Sequence, residues 1–188
     1  ARTKDDDLIE HMFIASTHQY ILFFTDKGKV YWLKVHEIPE GGRSARGRSI
    51  LNLLQKDKDE SITAFVTVKE FTDDRFIVMV TEKGTIKKTI LSAYSNVRRG
   101  GINAINIVKG DKLIEVKLTD GNNDIVIGTR KGLAIRFNES EVREMGRTAT
   151  GVRGIRLGAG DIVIGLIVIR SATTLLVVTD KGFGKRSE

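Results

Sequence analysis

Apolar residues in this chain fall in short unbroken runs, not at helical spacing. Ile21-Leu22-Phe23-Phe24, Phe76-Ile77-Val78-Met79-Val80, Ile125-Val126-Ile127 and Leu175-Leu176-Val177-Val178 are each too short for a helix. Runs of this kind belong to strands covered on both faces. Each run leads into the same punctuation: Thr25-Asp26-Lys27-Gly28, Thr81-Glu82-Lys83-Gly84, Thr129-Arg130-Lys131-Gly132 and Thr179-Asp180-Lys181-Gly182. The glycines lie 56, 48 and 50 residues apart, so the chain is a repeat array.

Between an apolar run and a following stretch such as Lys29-Val30-Tyr31-Trp32-Leu33-Lys34, x-Lys-Gly predicts a hairpin, because glycine supplies the positive φ of a tight turn. A second landmark, Gly47, Gly101 and Gly151, follows 19, 17 and 19 residues after the hairpin glycine. It leads into Ile50-Leu51-Asn52-Leu53, Ala104-Ile105-Asn106-Ile107 and Ile155-Arg156-Leu157. Only Ser140 to Met145 could form a brief helical turn. Units of about 50 residues with roughly four strands each predict an all-β fold, a propeller-like array of four-stranded antiparallel blades. The units run roughly 8–55, 61–109, 111–158 and 161–188, the last incomplete, within one domain spanning 1–188.

Composition narrows the chemistry. With 40% hydrophobic residues the chain is not disordered. Zero Cys removes disulfides, thiolate metal sites and cysteine nucleophiles, and fits a reducing compartment. The longest apolar run, Ile162 to Ile169 with Gly165 inside, has eight residues, against about 20 for a membrane helix. The N-terminus has no apolar signal segment, and the missing initiator Met suggests a piece cut from a longer protein. His11, His18 and His36 are too scattered to predict a metal site. Gly158-Ala159-Gly160 and the stretch Gly182 to Ser187 resemble phosphate loops, but neither opens a helix. Tyr20 and Tyr31 read as packing residues, and nothing pairs a nucleophile with a base, so no catalytic residue is expected here.

Charge gives the positive signal. Lys and Arg total 31 against 24 acids, a net charge of +7, which suits a polyanionic partner. The position four after each hairpin glycine is Trp32, Lys88, Arg136 or Arg186, which predicts a ring of cations at equivalent sites. Loops add Arg43, Arg46, Arg48, Arg98, Arg99, Arg147, Arg153 and Arg156, and Lys87 and Lys185 extend the stripe. Many of these arginines adjoin glycine, pairing guanidinium forks with open backbone N–H groups, a combination that suits phosphate. No reading helix is visible, so binding should follow the backbone and not the base sequence. A curved stripe would bend duplex DNA, and contacts to eight to ten phosphates would give a log–log salt slope of about −7 to −9. Acids gather in Asp5-Asp6-Asp7, Asp57 to Glu60 and Asp73-Asp74, read as solvated turns. From charge alone, a basic rim is equally a solvated sheet edge on a protein-interaction scaffold.

The wording of the chain resembles a known family. Glu10-His11-Met12-Phe13-Ile14-Ala15-Ser16-Thr17-His18, and Leu22 through Lys34, resemble the first blade of the DNA gyrase A C-terminal domain. Ile38-Pro39-Glu40, Ala45 to Arg48 leading to Asn52-Leu53-Leu54, and Met145 through Leu157 are similar to its later loops, so the likeness covers essentially all of the chain. The resemblance implies a β-pinwheel, in which neighbouring blades exchange strands and duplex DNA wraps a basic perimeter. It implies two protein partners, a catalytic core on the same polypeptide and a separate ATPase subunit. ATP and Mg belong to that parent type II topoisomerase, and no cofactor to this chain. Negative supercoiling in the cytoplasm, at the nucleoid, would follow; the corresponding domain of topoisomerase IV is the neighbouring reading. The family's box motif, glutamine-arginine-arginine-glycine-glycine-lysine-glycine, is not found. Ala1 begins just beyond its expected place, and Arg98-Arg99-Gly100-Gly101 imitates its core at the second unit's landmark.

Overall fold

The computed structural model describes residues 12–42, 49, 52–98, 100–170 and 174–187. The four expected hairpins are β1 (Tyr20–Thr25) with β2 (Lys29–Lys34), β4 (Phe76–Thr81) with β5 (Thr85–Ile90), β8 (Asp124–Thr129) with β9 (Ala134–Asn138), and β12 (Leu175–Val178) with β13 (Gly184–Ser187). Between them lie three long strands, β3 (Ile62–Val68), β7 (Leu113–Thr119) and β11 (Val163–Ile169), and two short ones, β6 (Ile102–Asn103) and β10 (Val152–Arg153). The brief helical turn expected near Ser140 is a 3-10 turn at Glu139–Glu141, and similar turns follow β2 and β5.

Strand order shows that a blade is not a contiguous stretch of chain. The first sheet runs β3-β1-β2-β6 and the second β10-β5-β4-β7, followed by β11-β8-β9 and the hairpin β12-β13. The segment 61–109 therefore gives β4 and β5 to its own blade, and lends β3 and β6 to the blade before. The segment 111–158 does the same with β7 and β10. This is the strand exchange that the family resemblance implies.

Backbone hydrogen bonds stitch the exchange at recurring positions. Ala104 N and Ile105 N both donate to Gly28 O, at 2.8 and 3.2 Å, and Gly154 N and Ile155 N donate to Gly84 O at 2.8 and 3.3 Å. Leu113 N donates to Asp26 O and Val163 N to Glu82 O, each at 2.9 Å, so both β7 and β11 are tied to the turn of a preceding blade. Gly28 sits at φ 78 and Gly84 at φ 85. Besides allowing that conformation, the missing side chain leaves room for the incoming backbone: a Cβ on Gly28 would lie 2.5 Å from Ile105 O.

The sheets stack, and alternate residues of a strand enter opposite seams. Ile77 and Met79 of β4 pack with Leu22, Phe24, Val66 and Val116 between the first two blades. Val78 and Val80 pack with Ile86, Ile125, Ile127 and Leu166 between the second and third. Burial on both faces is why the apolar runs of β1, β4 and β8 are continuous; the equally apolar run of β12 is largely exposed. Tyr31, as expected, is a packing residue, joining Ile21, Phe23 and Leu54 on the far face of the first blade.

The stitch predicts an asymmetry between glycines of similar φ. Gly132 has φ 84 but nothing within 4 Å of its would-be Cβ. Gly28→Ala should cost about 3 kcal/mol or more through backbone overlap, and Gly132→Ala only about 1 kcal/mol, for its φ alone. Urea unfolding of both variants checks this; equal losses would contradict it.

Candidate nucleic-acid interface

Four of the expected arginines lie on the segments that carry the exchanged strands β6 and β10. Arg98 is exposed and opens a turn closed by Gly101 N donating to Arg98 O at 2.8 Å, just before β6. Gly101 has φ 74, and a Cβ there would press on the Tyr31 ring at 2.7 Å, so packing fixes the turn. Arg153 lies in β10 opposite Thr85, with Arg156 three residues on, and both are exposed. They flank the Gly154 and Ile155 amides that bind Gly84 O. Arg147 is half-buried, and its Nη1 donates to Asn103 O of β6 at 3.3 Å. Arg98, Arg147, Arg153 and Arg156 thus ride on segments anchored at the blade seams. Arg43, Arg46, Arg48 and Arg99 lie outside the described residues.

Arg136 is exposed on β9, with Nε and Nη2 donating to Asp124 Oδ2 at 2.9 and 2.7 Å. The Arg136 hydrogen bonds, joined by one from Asn138, hold the Asp124 carboxyl below its ordinary range. Lys185 and Arg186 are exposed on β13.

Two of the expected contacts are overturned. Lys87 and Lys88 are 0% and 7% exposed. Lys87 Nζ donates to Ala104 O and, at 2.6 Å, to Arg147 O. Lys88 Nζ donates to Glu139 O at 2.7 Å and lies 5.3 Å from the Phe76 ring centroid. They face opposite seams because they are neighbours on one strand, and both seams are covered. The expected ring of cations four residues after each hairpin glycine is broken in the first two blades, where Trp32 is half-buried and Lys88 buried. In the other two hairpins the position is open: Arg136 is exposed but paired with Asp124, and Arg186 is exposed.

The acidic turn after the first landmark is likewise less open than its sequence suggests. Glu60 is 3% exposed, accepts from Tyr31 Oη at 3.0 Å and pairs with Lys29 Nζ at 2.8 Å. Asp57 pairs with the same Nζ at 2.9 Å. Hydrogen bonds to Asp57 and Glu60 raise the Lys29 amine above the ordinary lysine range. Burial, then the Glu60 hydrogen bond, pushes the Tyr31 phenol up to about 12. Glu139 is a further anchor that the sequence reading missed. Fully buried, it accepts from Thr119 Oγ1, Gly121 N, Asn123 N and Asn123 Nδ2, at 2.6 to 3.1 Å. Its one signal in the sequence is its place directly after Asn138, beside the anticipated helical turn. Among the described residues no group of three or more His, Cys, Asp or Glu could hold a metal ion.

Burial, then the positive field of Arg147, pushes the Lys87 amine down to about 7, where an unfolded chain would hold its proton to about 10.4. The unfolded state then binds the extra proton, so this group makes stability rise between about pH 7 and 10. Lys29 shifts the opposite way, and its contribution is undiminished below its unfolded pKa. Thermal midpoints should climb across about pH 7 to 10, and Lys87→Met should flatten the climb; a level wild-type profile would contradict the assignment.

Comparison with known proteins places this architecture. The family described as "DNA gyrase C-terminal domain, beta-propeller" matches residues 19–69, 75–120, 123–170 and 173–188, a division that follows the hairpins. The DNA gyrase A subunit of Salmonella typhimurium is 46% identical over 187 residues, covering 100% of this chain and 21% of that protein. Among solved structures, the C-terminal domain of DNA topoisomerase IV matches with TM-score 0.86 and 33% identity, over 98% of this chain and 58% of that one. The C-terminal domain of DNA gyrase A matches with TM-score 0.78 and 25% identity, over 92% and 55%. The chain spans about a fifth of the length of the curated relatives it matches. Four hairpins, three of them joined by strands from the following segment, and a family match that follows them one by one establish that this chain belongs to the DNA gyrase C-terminal domain family of β-propellers.

Proposed function

We propose that this chain binds duplex DNA without sequence preference and bends it around the loops at its blade seams. It would serve negative supercoiling by an ATP-dependent type II topoisomerase of the gyrase kind. The observation that carries this reading is the placement of exposed arginines, Arg98, Arg153 and Arg156, on segments whose backbone is locked to the preceding blade. Guanidinium groups held this way meet phosphates with little ordering left to do. The relatives' names support the reading, since several that cover the whole chain are gyrase A subunits.

In this reading the chain has no catalytic residue of its own and presents a DNA segment to a catalytic core elsewhere on the same polypeptide. A separate ATPase subunit supplies the energy, and ATP and Mg act there. The nucleoid is where such a protein would work. The likeness to the topoisomerase IV domain favours one alternative, in which the same surface holds DNA for decatenation.

Arg136, already bonded to Asp124, is a weaker phosphate partner than the loop arginines. Reversing Arg98, Arg153 and Arg156 together to Glu should weaken duplex binding at least tenfold and make the log–log salt slope shallower by about 3. Fluorescence anisotropy with duplexes of unrelated sequence measures both. Unchanged affinity would return the fold to a protein-interaction scaffold.

A further inference from the structure

One amine in this protein is shut away from water with no carboxylate paired to it among the described residues. Lys87 stands in the middle of β5, fully buried, and its Nζ bridges two backbone carbonyls from different segments. One, Ala104 O, belongs to the residue whose amide is stitched to Gly28 O. The other is the carbonyl of Arg147 itself, so the amine holds the base of a loop whose guanidinium reaches solvent. Across the sheet its register partner is Met79 of β4, which brings no charge. Among the described residues, the charge that acts on it is that of Arg147 on the loop, whose field also reaches the Tyr94 phenol on the 3-10 turn after β5. Arg153, from β10, shares the Thr85 face of the sheet. Among the described residues Lys87 forms no ion pair.

Both protonation states can make this latch. A neutral amine has two N–H groups for the two carbonyls, and an ammonium has a third. The choice between them is set by burial and by the charge on Arg147, which together bring the amine to about 7. A phosphate on Arg147 removes the repulsive part of that setting.

We propose that DNA binding at the Arg147 loop is coupled to proton uptake by Lys87, phosphate at the guanidinium drawing a solvent proton onto the buried amine that fastens the same loop. The coupling rests on the DNA-binding reading above. By linkage, the domain's affinity for DNA falls as pH rises through the range in which the free protein has lost this proton. The protein is thereby a DNA binder whose grip responds to pH near neutrality without a histidine at the contact.

Calorimetric titration of a short duplex into the chain, at about pH 7.5 in two buffers of different ionisation enthalpy, counts the protons. Uptake of about half a proton per domain is expected for a rise of the amine by roughly one pH unit. Lys87→Arg keeps a donor to both carbonyls and cannot release its proton. It should bind DNA within about threefold of wild type and lose the uptake. A readout on the unaltered chain does not depend on that variant folding: at fixed salt, affinity should weaken several-fold between about pH 7 and 8.5. Binding with no proton uptake and no pH dependence overturns the coupling and leaves the DNA reading standing, as does uptake that persists in Lys87→Arg. Absence of binding at every pH overturns the DNA reading, and the coupling with it.

Discussion

The whole arrangement hangs on one backbone contact, the carbonyl of a hairpin glycine accepting two amides from a segment that arrives more than a full repeat later. Gly28 receives Ala104 and Ile105, and Gly84 receives Gly154 and Ile155. The contact demands a left-handed turn and an absent side chain at once, which only glycine supplies. Once made, it ties β6 to the first blade and β10 to the second, helps to bury both faces of the central strands, and brings the loops before and after the borrowed strand to the seam. Arg98, Arg147 and Arg156 sit on those loops, and Arg153 on the borrowed strand β10 itself. The fold and the basic surface therefore have one cause.

That cause also sorts the cations by chemistry. Arginine keeps its charge at any accessible pH and presents several donors in a fixed fork, so it suits a solvent-facing phosphate contact. Lysine can shed its proton, and two lysines are what the seams bury, each committing its nitrogen to backbone carbonyls of a neighbouring segment. Removing either would leave carbonyls unsatisfied in a closed seam, a cost of about 1 to 3 kcal/mol for each orphaned group. The same positions in the first blade carry Tyr31 and Trp32. Tyr31 solves the burial problem with a hydroxyl on Glu60 and a ring against Gly101.

Much of this was legible from the residues. Thr-x-Lys-Gly marked all four hairpins, and the unbroken apolar runs pointed to strands covered on both faces, as β1, β4 and β8 are, whereas the run in β12 is largely exposed. The second landmark marked Gly101 and Gly151, the glycines just ahead of the borrowed strands β6 and β10. What the residues could not reveal was which sheet each strand would join. β3 follows the first unit's acidic turn and reads as the start of the second unit, yet it pairs with β1, Val68 opposite Tyr20 and Ala64 opposite Phe24. Lys87 and Lys88 misled for a related reason. A lysine pair in a strand normally points at least one amine outward, and here stacking closes both sides, a fact held in tertiary structure alone. Glu60 read as a turn acid, and Glu139 went unnoticed, because their donors, Tyr31, Lys29, Thr119 and Asn123, come from strands and turns distant in the chain.

The central claim is that seam-anchored arginines fix the path of DNA as well as its affinity. Nicked circular plasmid, ligated in the presence of the chain and then stripped of protein, reports that path as a linking number. The account predicts a displacement of one sign that grows with protein. Retarded DNA whose topoisomer distribution stays centred on the protein-free control would show binding without a fixed path, and would contradict it.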